Sequence, residues 1–139
     1  MPKPAIEFRA SDDVPWTPVP GNAKQREKIL AQDETGLATR LLLFEPGCET
    51  VGVVRHDFWE EVWILEGAIT DLSLGQTFTA GMFACRPPGM PHGPWISPEG
   101  CMTFEVRVGQ QGQVPRGAGP ENYQHQRDRQ APTGADATG

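Results

Sequence analysis

HDFWEEVWILEG, residues 56–67, and GMFACRPPGMPH, residues 81–92, decide the fold of this chain. Only three histidines occur in the sequence, and two of them, His56 and His92, mark the outer ends of these stretches. Side chains two and four apart in a strand share a face. An unbroken strand therefore points His56, Phe58, Glu60, Val62 and Ile64 one way and Glu61, Trp63 and Leu65 the other. In the second stretch, a short apolar run stops at Pro87-Pro88, which cannot continue a central ladder, and the turn PPGMPH brings His92 back. Two imidazoles and one carboxylate, from two strand-and-turn units, make a facial triad that leaves positions open on a divalent metal. That donor set suits non-haem Fe(II), which binds substrate and oxygen side by side. The plainer alternative is a strand histidine paired with its neighbouring carboxylate.

Outward from this centre, the same alternation recurs in short runs. A strand around Glu27–Ala31 with a turn at Asp33–Gly36 is expected first, and LATRLLLFEPG (37–47) ends in a Pro-Gly turn. ETVGVVRH (49–56), EEVWILEG (60–67), AITDLSLG (68–75), QTFTAG (76–81), MFACRPPG (82–89) and CMTFEVRV (101–108) follow, with Gly67 and Gly75 as breaks. Short strands at this spacing predict an all-β sandwich or barrel. Beyond Val108 the large apolar residues are Val114 and Tyr123, too few to offset the entropy of ordering. The expected organisation is an N-terminal arm over 1–22, a barrel over 23–109 and a disordered tail over 110–139. His125 falls in that tail and is a poor candidate for a fixed ligand.

The bulk numbers agree with one small domain. The chain has 139 residues with 16 glycines and 14 prolines, which favours turns over long helices. A net charge of −6 without a basic cluster argues against nucleic acid as a partner. No apolar run approaches the roughly 18 residues of a membrane span, and the start MPKPAIEFRASDD lacks the apolar core of a signal peptide. Three cysteines, Cys48, Cys85 and Cys101, without CxxC spacing read as free thiols, hence a cytoplasmic protein. Cys85 and Cys101 are expected as small buried hydrophobes.

The two stretches resemble the motifs of the cupin superfamily, a family of small β-barrels. Glu60 and Gly67 match the E-x6-G end of the first cupin motif, and His56 matches the second histidine of its H-x-H pair. Gly81, Pro87, Gly89 and His92 match the second motif, G-x5-P-x-G-x2-H. The wider pattern is similar to the small single-domain cupins related to the metal-binding domain of the anti-sigma factor ChrR, a subgroup that includes dioxygenase-like proteins. The resemblance covers roughly residues 29–108. It implies a cupin-type double-stranded β-helix, or jelly-roll barrel, with a metal on His56, Glu60 and His92. Two positions depart from the pattern: Val54 stands where the first histidine of the pair belongs, and Ile96 where an asparagine follows the second motif. A three-ligand site, one completed by Asp57, Asp71 or water, or a lost metal are the options this leaves.

Phe58 and Trp95 are candidates to touch a substrate, with filling of the core or a dimer face as the alternative. Trp16 is read as covering an open barrel end or pairing with a neighbouring subunit. Arg86 is placed at the pocket rim. Glu105 and Arg107 alternate on the last strand and Arg40 lies on an early one. An inward arginine such as Arg40 would fork a substrate carboxylate, unless it forms a salt bridge within the barrel. The first functional expectation is an Fe(II) dioxygenase-type oxidoreductase acting on a small dicarbonyl, hydroxy-ketone or phenol. The alternatives are a redox-silent Zn or Mn isomerase or lyase, and a non-catalytic sensor of metal or ligand. A homodimer is expected because small barrels cover exposed strand edges by pairing.

Overall fold

The structure, a computed structural model, describes residues 2–109; the tail expected over 110–139 lies outside the described residues. Nine strands follow a 3-10 turn at Ser11–Asp13: β1 (Thr17–Val19), β2 (Asn22–Gln32), β3 (Ala38–Phe44), β4 (Cys48–Glu49), β5 (Trp59–Asp71), β6 (Gln76–Thr79), β7 (Phe83–Arg86), β8 (Trp95–Ser97) and β9 (Cys101–Val108). All strand pairs are antiparallel, in the order β1-β2-β3-β9-β5-β8-β4, with β6 and β7 also on β5. The fold is the all-β jelly-roll expected.

The organising strand is β5. Its first half pairs with β9 on one side and β7 on the other. Its last four residues pair with β6, and its final two also with β8. One strand thus belongs to two sheets. The sequence suggested two strands broken at Gly67, but the chain runs through that residue with φ +76°. A bulge between Ile64 and Glu66 sharpens the local twist just before it. A Cβ on Gly67 would lie 2.1 Å from the Gly100 carbonyl oxygen, so only glycine admits the close crossing of β5 over the start of β9.

Three other expectations change. ETVGVVRH is not a strand: residues 51–55 are exposed, and Val54 makes only an isolated bridge to His92. The valine-rich composition favours extended backbone, but among the described residues no strand runs alongside to pair with it. β8 was not foreseen. The strand expected at Glu27–Ala31 extends over Asn22–Gln32, because it has partners on both sides in β1 and β3. The turn at Asp33–Gly36 is as expected, with Asp33 Oδ1 accepting from the amides of Thr35 and Leu37.

The strands' inward faces divide the interior in two. Leu42, Phe44, Cys48, Ile64, Ile69 and Cys101 form the apolar core, with Val19, Phe78 and Trp95 packed on it. Toward the other end of β3, β5 and β9 the same faces carry charge: Arg40, Glu60 and Glu105 are all buried. The register places Arg86 of β7 and Arg107 of β9 directly opposite Glu60, one on each side.

Outward, Trp63 lies between Phe83 of β7 and Phe104 of β9. Trp63, Phe83, Leu65 and Val108 are all exposed. Trp16 sits under the Lys28 ammonium, 4.9 Å from the ring centre, on the flank of β2. Cys48 and Cys101 are buried, and burial pushes the Cys101 thiol up to about 11. Cys85 is only half-buried, because its register opposite exposed Glu61 turns it away from the core.

Gly67→Ala is expected to lower the unfolding free energy by roughly 2–4 kcal/mol, strain and overpacking together. Gly75→Ala has a similar positive φ but open space around the new Cβ, and should lose only about 1 kcal/mol. Urea titration of both variants checks this, and equal losses would remove the close crossing as the reason for Gly67.

Candidate metal centre

His56 lies three residues ahead of β5, in the loop that leads from β4. Its carbonyl accepts from the Gly89 amide at 2.8 Å. His92 is held by paired backbone bonds to Val54, 2.8 and 3.0 Å. The loops carrying the two histidines are therefore stitched together at the barrel mouth. Val54 contributes only backbone to this stitch, and its side chain is exposed.

The three side chains converge. His56 Nε2 is 3.7 Å from Glu60 Oε1, and His92 Nε2 is 4.0 Å from the same oxygen. One ligand atom from each residue lies within 4.8 Å of those of the other two. The imidazole centres are 4.7 Å apart. Both ring nitrogens of His56 are buried without a hydrogen-bond partner. A buried polar atom in that state is costly unless something ligates it. His92 Nδ1 lies 3.2 Å from the Met90 carbonyl. Donation there leaves Nε2 with its lone pair facing Glu60, the arrangement a ligating histidine commonly has. Burial, then the charge of Arg86, holds the His92 pKa below the usual imidazole value, so the ring is neutral and able to ligate at neutral pH. The residues present fit a divalent cation.

Glu60 is the least ordinary member. Arg86 Nη1 donates to Oε1 at 3.2 Å, and Arg107 Nε donates to Oε2 at 2.7 Å. Burial alone would raise the pKa of this carboxyl, but Arg107, Arg86 and His56 outweigh it and hold it below the ordinary glutamate value. Both arginines also rest on aromatic rings. Arg86 lies 5.2 Å from the centre of Trp95, and Arg107 lies 5.2 Å from that of Phe58. Phe58 stacks on His56, with ring centres 4.0 Å apart and planes within 6°. Phe58, Arg86 and Trp95 thus surround the triad.

Arg40 is placed differently. Its Nε donates to Glu105 Oε2 at 2.9 Å and its Nη1 donates to Glu27, so its fork is already filled by protein carboxylates. Glu105 also lies 3.8 Å from Arg107. A chain of alternating charge therefore runs Glu27–Arg40–Glu105–Arg107–Glu60–Arg86. Arg107, absent from the residues singled out as substrate contacts, is the second guanidinium of the site. The signal was the alternation of Thr103, Glu105 and Arg107 on one face of β9, which gains meaning only once the register with β5 is known. Asp71, weighed as a replacement ligand, is committed elsewhere: its carboxylate accepts from the amides of Ser73, Leu74 and Gly93. Asp57 is not among the converging ligands.

Because the folded-state pKa of Glu60 is depressed, its contribution to stability is present above the unfolded value of roughly 4.3 and is lost as pH falls through the folded value. With chelator present, Glu60→Gln is expected to cost roughly 1–3 kcal/mol at pH 7 by leaving both arginines short of a charge. Denaturant melts at a series of pH values should show the gap narrowing on acidification; a constant gap would contradict the ion-pair account.

Comparisons with known proteins bear on this geometry. The ChrR cupin-like domain family matches residues 7–111. No curated protein matches the chain. Among solved structures, an RmlC-like cupin from Shewanella frigidimarina is similar at TM-score 0.61 and 20% identity, over 77% of this chain and 93% of the other. A candidate acetylacetone dioxygenase from Methylibium petroleiphilum is similar at TM-score 0.63 and 19% identity, over 91% and 96%. The complex of Rhodobacter sphaeroides SigE with the anti-sigma ChrR gives TM-score 0.54 and 22% identity, over 70% of this chain and 50% of that one. At these identities the structures share the fold, whereas the family match runs through the converging triad: the chain belongs to the ChrR cupin-like domain family.

Proposed function

We propose that this chain is a metal-dependent enzyme of the cupin dioxygenase type. His56, Glu60 and His92 hold the cation, Fe(II) being favoured. Phe58, Arg86 and Trp95 shape the space for a small dicarbonyl, hydroxy-ketone or phenolic substrate. The observation that carries this reading is the pair of buried, unpartnered nitrogens of His56, beside a second imidazole and a carboxylate. Similarity to the candidate acetylacetone dioxygenase supports the substrate class. A cytoplasmic setting goes with it, on the ground of three free thiols. Among the described residues no helix is long and apolar enough to cross a membrane.

Iron bound to His56, Glu60 and His92 would supply oxygen activation, the chemistry that C–C cleavage of such a substrate needs. The protein's own share is positioning. The Met90 carbonyl orients His92, and Arg107 fixes the Glu60 carboxylate. Phe58 lies flat on His56 and keeps water from that face. Trp95 and Phe58 offer apolar surfaces to a planar substrate. No separate general base is evident in this arrangement.

Two other readings have specific support. His and Glu donors also serve Zn and Mn, which would make the centre a Lewis acid for an isomerase or lyase. Similarity to ChrR in its complex with SigE supports a sensor module with a protein partner.

Metal analysis of the purified protein is expected to find about one divalent ion per chain, the stoichiometry of a single three-ligand site. His92→Ala should lose that ion and all turnover together. Oxygen uptake with a panel of 1,3-dicarbonyl and catechol compounds separates the enzyme from the sensor. Retained activity in His92→Ala would end the assignment, and zinc without oxygen uptake would favour the Lewis-acid reading.

A homodimer through the outer face of β7, β5 and β9 accompanies this proposal. Trp63, Phe83, Leu65 and Val108 form an exposed apolar stretch there. A second copy related by a two-fold axis brings a matching apolar face. Light scattering after gel filtration should give twice the 15.2 kDa chain mass, and Trp63→Glu should give the monomer. A wild-type monomer would remove this interface.

A further inference from the structure

We propose that Arg86 is an anion receptor coupled to the cation, so that the centre binds its metal together with a small planar carboxylate. The inference rests on the metal reading above and adds the chemistry of the second ligand. It starts from one atom. Glu60 Oε1 is the oxygen that faces both imidazoles, at 3.7 and 4.0 Å, and it is also the oxygen that accepts from Arg86 Nη1 at 3.2 Å. Glu60 Oε2 is held independently by Arg107 at 2.7 Å. A cation seated between the imidazoles would share the oxygen Arg86 uses, and the two positive charges would repel across it, weakening the hold of Oε1 on Arg86.

The charge balance points the same way. Glu27, Glu105 and Glu60 are matched by Arg40, Arg107 and Arg86, so this chain of six groups is neutral before any ion enters. A divalent ion thus arrives as uncompensated positive charge in an interior that penalises it. Arg107 cannot turn to relieve this, because it also lies 3.8 Å from Glu105. Among the described residues Arg86 pairs with no second carboxylate; its guanidinium lies instead against the face of Trp95. Once displaced from Oε1, its planar fork matches a carboxylate. Trp95 beside Arg86 and Phe58 beside His56 give that carboxylate's planar body two aromatic surfaces. Anion and cation then favour each other's binding, and by linkage the coupling is the same in both directions.

The test uses the full chain, stripped with chelator, and equilibrium dialysis of Mn(II) with and without millimolar benzoate. In the wild type, benzoate is expected to tighten Mn(II) binding about tenfold, and Mn(II) to tighten benzoate binding by the same factor. Arg86→Gln should bind Mn(II) more tightly than the wild type without benzoate and respond to benzoate by less than about twofold. The reciprocal wild-type measurement needs no variant, so a misfolded Arg86→Gln does not leave the matter undecided. Mn(II) binding that ignores benzoate in the wild type overturns the inference while leaving the metal centre intact. A benzoate gain undiminished in folded Arg86→Gln overturns the role of Arg86, since the carboxylate would then be reaching the cation unaided. Absence of Mn(II) binding in every sample overturns both the inference and the metal reading beneath it.

Discussion

A carboxylate with 4% of its side chain open to solvent is tolerable only if its charge is answered on the spot. Glu60 is answered twice, because antiparallel pairing puts Arg86 and Arg107 directly opposite it on the strands to either side. Everything at the polar end of the barrel follows from that row of three residues. It fixes one carboxylate oxygen toward Arg107 and presents the other to His56 and His92. It also passes the demand for charge onward, through Arg107 to Glu105, Arg40 and Glu27, across four neighbouring strands.

The stability of such a chain is conditional. Each member is acceptable because its neighbours are present, so removing one leaves another buried and short of a partner. The apolar cluster around Leu42, Phe44, Ile64 and Ile69 carries no comparable obligation. Its contribution scales with the area it hides from water. Hydrophobic burial therefore holds the barrel together at one end, while the other end spends structure on holding polar groups in place.

Much of this was legible in the residues themselves. Alternation in EEVWILEG and CMTFEVRV assigned strands and faces correctly, and the pairing of His56, Glu60 and His92 emerged from spacing and motif together. What stayed hidden was register, which is a long-range property. Nothing near Arg107 in the sequence says that it will sit opposite Glu60, 47 positions away. Gly67 misled because a glycine inside a strand pattern reads as an end, whereas here it permits two sheets to share one strand. ETVGVVRH misled for the opposite reason: local preference for extended backbone was real, but among the described residues no strand ran alongside to pair with it.

The loops that bear the histidines are tied to each other by three backbone bonds, between Val54 and His92 and between His56 and Gly89. Those bonds use main-chain atoms only. Side chains around the mouth, such as Val53 and Met90, can therefore be exchanged without cutting the tie. Evolution, or a combinatorial library, can explore new substrate preferences along this rim while the ligand-bearing backbone keeps its shape.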